Sequence, residues 1–89
     1  SLALLNSEFS QREAGVFAEF LKKHAGANSA DQVRLGLKRT MQRSPTEVEV
    51  QRGVGLIQAL MKQDKASPDA ALRAFCLVAI NLNEFLYVD

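Results

Sequence analysis

Very little of what specialised chemistry requires is present in this sequence. It has one cysteine, which excludes an internal disulfide and any zinc site built on several thiolates. One histidine excludes paired imidazole ligation. Two prolines and five glycines exclude a collagenous or low-complexity chain. An excess of one charge is also missing: eleven bases against ten acids leave a net charge of +1, with no general drive toward nucleic acid or acidic membranes. The longest apolar run, Ala74 to Ile80, stops at Asn81, far short of the ~20 residues that a bilayer requires. Leu2-Ala3-Leu4-Leu5 has no basic region before it and meets Asn6, Ser7 and Glu8 at once, so it is not a secretory core. Neither G-x-x-x-x-G-K, G-x-S-x-G, H-E-x-x-H nor C-x-x-C-H occurs, and the last absence means that the segment does not attach haem.

What is there is helical patterning, in a chain whose 89 residues suit a single domain over 1–89. Three start signals divide it: Ser29-Ala30-Asp31-Gln32, Ser44-Pro45-Thr46-Glu47 and Ser67-Pro68-Asp69. Gly26 is a suitable left-handed stop between the first two segments. The spacing predicts helices over about Leu2 to His24, Ala30 to Arg43, Pro45 to Asp64 and Pro68 to Asn83, with a break or kink at Asn6-Ser7. Only Phe85-Leu86-Tyr87-Val88 suits an extended strand. The fold class is therefore all-α, a small four-helix bundle-like module with short connections.

Apolar lines run along each helix. In the first they pass through Phe9, Ala14, Val16, Phe17, Phe20 and Leu21; in the second through Val33, Leu37 and Met41; in the third through Val50, Val54, Ile57 and Met61. The fourth helix is apolar nearly all round from Ala74 to Ile80, which predicts the central, most buried position. Phe17, Leu21, Val33, Leu37, Ile57, Leu60, Phe75, Leu77 and Val78 are the expected core. Gly53 and Gly55 each weaken the third helix by about 1 kcal/mol relative to Ala, so a close crossing is expected at Gly53. Gly55 fits either a crossing or an exposed, tolerated glycine.

Reactive groups are few and lack partners. Cys76 lies in Phe75-Cys76-Leu77-Val78, where a free thiol behaves as a small hydrophobe. His24 follows Lys22-Lys23 at a helix end and reads as a cation on the last carbonyls. The carboxylates show no paired spacing with a histidine or a third acid, and no nucleophile has an activating partner, so no catalytic residue, cofactor site or metal site is assigned. Arg34, Lys38, Arg39 and Arg43 make the second helix basic, but it lacks interleaved aromatics, and Glu47 and Glu49 lie just across the turn. A solvated, neutralised face is the expectation, with no nucleic-acid partner. In Asn81-Leu82-Asn83-Glu84-Phe85 the carboxamides are expected to close the helix and clamp a neighbouring segment.

Leu4-Leu5-Asn6-Ser7-Glu8-Phe9, Arg43-Ser44-Pro45-Thr46-Glu47-Val48-Glu49 and Leu82-Asn83-Glu84-Phe85-Leu86-Tyr87-Val88-Asp89, in that order, resemble the C-terminal helical part of a planctomycete domain of unknown function. That family occurs in large secreted proteins, often beside cytochrome c-like modules. Its Gly-Arg-Pro-Pro-like turn is replaced here by Gln42-Arg43-Ser44-Pro45, which leaves the helix cap intact. The resemblance implies a trimmed C-terminal module of an exported or periplasmic parent and brings no activity to carry over. The chain is thus expected to be a non-catalytic interaction module docked on the remainder of its parent, without a membrane span. Leu2, Leu5, Asn6, Asn83, Glu84, Leu86 and Tyr87 are the candidate contact residues, and the two termini are expected to lie together and to pair weakly between copies of the isolated module. The alternative is that Asn6, Asn83, Glu84 and Tyr87 supply part of a polar active-site or haem-facing surface in a parent acting on polysaccharides.

Overall fold

A computed structural model describes the backbone of residues 7–86 and the side chains of residues 7–82. Four helices follow one another: α1 Glu8–Ala25, α2 Ser29–Met41, α3 Glu47–Gln63 and α4 Pro68–Leu86. The all-α bundle is as expected, and no strand occurs among the described residues.

The helix ends show which local signals win. Ser7 caps α1, its hydroxyl accepting from the Ser10 amide at 3.0 Å. The expected break at Asn6-Ser7 is thus where the helix begins. Gly26 ends α1 at φ 77°, a conformation that a side chain would strain, and its amide donates to the Lys22 carbonyl. Asn28, not Ser29, caps α2, because its Oδ1 accepts from the Asp31 amide at 2.9 Å; Gln32 then turns inward and donates to the Gly26 carbonyl at 2.6 Å. α2 stops at Met41 rather than Arg43, since Gln42 takes up the left-handed conformation at φ 59°. Thr46, not Ser44, caps α3. Its hydroxyl accepts from the Glu49 amide at 3.2 Å while the Glu49 carboxylate accepts from the Thr46 amide at 2.8 Å. Ser67 caps α4 as expected, accepting from the Ala70 amide at 3.1 Å. α4 runs past Asn83 to Leu86, so Phe85 and Leu86 are helical rather than extended. Tyr87 and Val88 lie outside the described residues.

Arg43 also reaches Glu49, with two guanidinium nitrogens at 3.0 and 2.8 Å from its two carboxylate oxygens. That fork, with the Thr46 amide, lowers the Glu49 pKa from 4.5 to about 2. Because the folded value lies below the unfolded one, the stability it contributes is complete above pH 4.5 and is lost as the pH falls through about 2. Melts taken from pH 6 downward should therefore fall less steeply in Glu49→Gln, whose amide can still complete the cap; parallel curves would show that the pair contributes nothing.

Packing centres on one ring. α2 and α4 each touch all three other helices, whereas α1 and α3 do not touch each other among the described residues. Phe75 of α4 is 3% exposed and lies between two glycines. A Cβ at Gly53 would come within 3.0 Å of its Cε1 and 2.5 Å of Val33 Cγ1, and one at Gly36 within 3.0 Å of its Cε2 and 3.2 Å of Leu21 Cδ1. The expected crossing at Gly53 is real, and Gly36 is its counterpart on α2. Gly55 faces open space.

Leu21, Val33, Leu37, Ile57 and Phe75 are buried as expected, with Phe17, Leu60 and Leu77 half-buried against them. Val78 is not buried: at 43% exposure it occupies the side of α4 that its three neighbours leave uncovered. Phe9, Val16 and Met61 also leave the expected apolar lines for solvent, the first two at 63% and 67% exposure. Among the described residues α1 is flanked by α4 and α2 alone, so the strip through Ala14, Ala18 and Leu21 closes fully against the core while Phe17 and Phe20 pack at its edge.

Candidate interaction surface

Of the residues expected to form a contact face, Leu2, Leu5, Asn6 and Tyr87 lie outside the described residues. Asn83, Glu84 and Leu86 belong to the last turns of α4, and their side chains lie outside the described part as well. Asn81 does not end the helix; its Nδ2 donates back to the Leu77 carbonyl at 2.8 Å. Its Oδ1 is buried and has no partner among the described residues.

The groups that could carry chemistry are dispersed. Burial pushes the Cys76 thiol up to about 12, so it is protonated and inert as a nucleophile in the folded chain. His24 is exposed and packs its ring on Phe20 with centroids 4.5 Å apart, rather than binding the last carbonyls of α1. No group of three His, Cys, Asp or Glu side chains suited to a metal ion occurs among the described residues. Nor is any described helix long and apolar enough to cross a membrane.

The charged faces are mostly paired as the sequence suggested. Arg34 bridges Glu47 at 3.1 Å and Asp31 at 3.7 Å, and Lys22 bridges Glu19 at 2.7 Å and Asp69 at 3.2 Å. Lys22 is raised above its usual value by these carboxylates, Glu19 first. Lys38 and Arg39, in contrast, form no ion pair among the described residues. The Arg39 guanidinium stands 4.7 Å from the centroid of Phe20, so α1 brings to the basic helix the aromatic side chain that its own sequence lacks. Phe17 stacks on the same ring at 6.2 Å. Helical spacing within α1 hints at the Phe17, Phe20 and His24 group, but nothing in sequence order pairs Arg39 with it.

One concave surface, of about 490 Å³, lies beside Lys22, Gln32, Ile57, Met61, Asp69 and Leu72. Two others also carry exposed apolar side chains. One, about 220 Å³, lies among α2, α3 and α4 and is walled by Met41, Leu56, Val78 and Leu82. The other follows the seam between α1 and α2 as two depressions of about 380 Å³ each, the first beside Val16, Phe17, Phe20 and Ile80, the second, mostly polar, beside His24, Asp31, Arg34, Leu35 and Lys38. No protein-family model matches the chain, and neither a curated protein nor a solved structure is detectably similar to it.

Proposed function

We propose that this chain is a non-catalytic interaction module that docks on the remainder of a larger protein. The observation that carries this reading is the contrast between a closed core and an apolar exterior. Leu21, Val33, Val50 and Cys76 are fully enclosed, yet Phe9, Val16, Val48, Val78 and Leu82 stand 43% to 67% exposed. Single exposed apolar residues are ordinary; grooves bounded by several of them are typical of contact surfaces. The dispersed ionisable groups and the protonated Cys76 favour binding over turnover. The resemblance of the three motifs to a module of large exported proteins supplies the nature of the partner: the rest of its own parent chain.

Titrated calorimetrically into the remainder of its parent polypeptide, the chain is expected to give a saturable complex. It is expected to turn over no glycoside, ester or phosphoester. Failure to form that complex would overturn the reading, as would an activity abolished by His24→Ala or Glu84→Ala.

A further inference from the structure

The seam between α1 and α2 joins apolar side chains to cations that no described carboxylate holds. The two depressions lie one after the other beside α1 between Glu13 and Ala25, a stretch whose helical rise is about 18 Å, a little more than three turns. Phe17, Phe20 and Ile80 form an apolar floor, and Val16, 67% exposed, extends it outward along the same helix. Arg39 of α2 stands over this floor at Phe20 and Lys38 borders the second depression, neither engaged by a carboxylate among the described residues. Glu13 and Asp31 lie toward the two ends, and Asp31 is already held by Arg34.

We propose that this seam, formed by Val16, Phe17, Phe20, Lys38, Arg39 and Ile80, binds an acidic amphipathic helix of a partner protein. A groove of this length between two helices accepts the apolar side of a third, anchored at i, i+3 or i+4 and i+7. The unpaired cations on its α2 rim select carboxylates on the flank of that helix. Among the described residues, charge also argues against a second copy as the occupant. Glu19, Asp31, Glu47, Glu49 and Asp69 are held by the chain's own cations. The remaining described acids, Glu8, Glu13 and Asp64, lie at the start of α1, in the groove itself and at the end of α3, so they do not form one acidic side. Arg39 is pre-positioned by Phe20, which lowers the entropy lost when a carboxylate arrives.

This inference rests on the interaction-module reading and is tested separately from it. The probe is a helix-stabilised synthetic peptide of about 20 residues with Leu and Ile on one side and Glu flanking them. A second peptide carries Lys in place of Glu, and oligo-dT is the third ligand. The Glu peptide is expected to bind at low salt, to shift the amide resonances of Val16, Phe20 and Arg39, and to lose affinity at least about tenfold on Lys38→Glu/Arg39→Glu substitution or in high salt. Unchanged melting of that variant excludes unfolding as the cause; if it melts early, Lys38→Gln/Arg39→Gln is expected to lose affinity in the same direction. Equal binding of the Lys peptide overturns the proposal, as does preferential binding of oligo-dT. So does binding that survives the charge changes and disappears with Val78→Asp. If the Glu peptide fails while the parent polypeptide still binds, the seam assignment falls and the interaction-module reading stands; if both fail, both fall.

Discussion

Replacing Phe75 with Ala is expected to remove about 3–5 kcal/mol of stability, a large part of the ~5–15 kcal/mol that holds a domain of this kind together. The ring is 3% exposed and fills the space left by Gly36 on α2 and Gly53 on α3. Without it, both glycine notches face a void. Neither can supply a side chain to close it, and collapse would require two helices to move together. The urea midpoint should fall steeply with little change in slope. A midpoint close to the wild-type value would mean that α4 is not the member around which the other helices are arranged.

The second large effect separates two glycines on the same helix. Gly53→Ala is expected to destabilise by ~1–3 kcal/mol even though alanine is the better helix former, because its Cβ would stand 2.5 Å from Val33 Cγ1. Gly55→Ala meets nothing within 4 Å and is expected to stabilise by up to about 1 kcal/mol. Opposite signs two positions apart are the signature of a tight crossing on one side of α3 only. Adding Val33→Ala should recover part of the loss at Gly53, as coupled neighbours do, and nothing at Gly55. Equal responses at the two glycines would contradict the crossing.

The four helices were legible because their apolar residues recur at helical spacing and short polar turns separate them. Of the expected caps Ser67 holds, while Ser29 and Ser44 give way to Asn28 and Thr46. Ser44 with Glu47 and Thr46 with Glu49 satisfy the same local rule, and the second prevails where Arg43 can also grip Glu49. Gln42 and Lys65 adopt left-handed conformations without being glycine, so the ends near them carried no signal. Gly36 escaped notice because the ring that requires it belongs to another helix far along the chain. Val78 shows the limit of an all-round apolar pattern: the pattern reports that a side chain tolerates burial, while the number of neighbours decides which sides receive it. The interaction seam was the least legible part, since Phe20 and Arg39 meet across two helices and neither has a motif that announces the other.

The position of Cys76 makes the molecule its own clock. Its side chain is fully enclosed on the helix that all the others touch, so a thiol reagent meets it only in molecules whose bundle has parted. A native thiol raised to about 12 adds almost no background reaction at neutral pH, whereas the released thiol returns to an ordinary value near 9.0. The labelling rate at a single sulfur atom thus measures how often the whole assembly opens, and an occupant that fastens α1 to α2 slows that rate without approaching the sulfur.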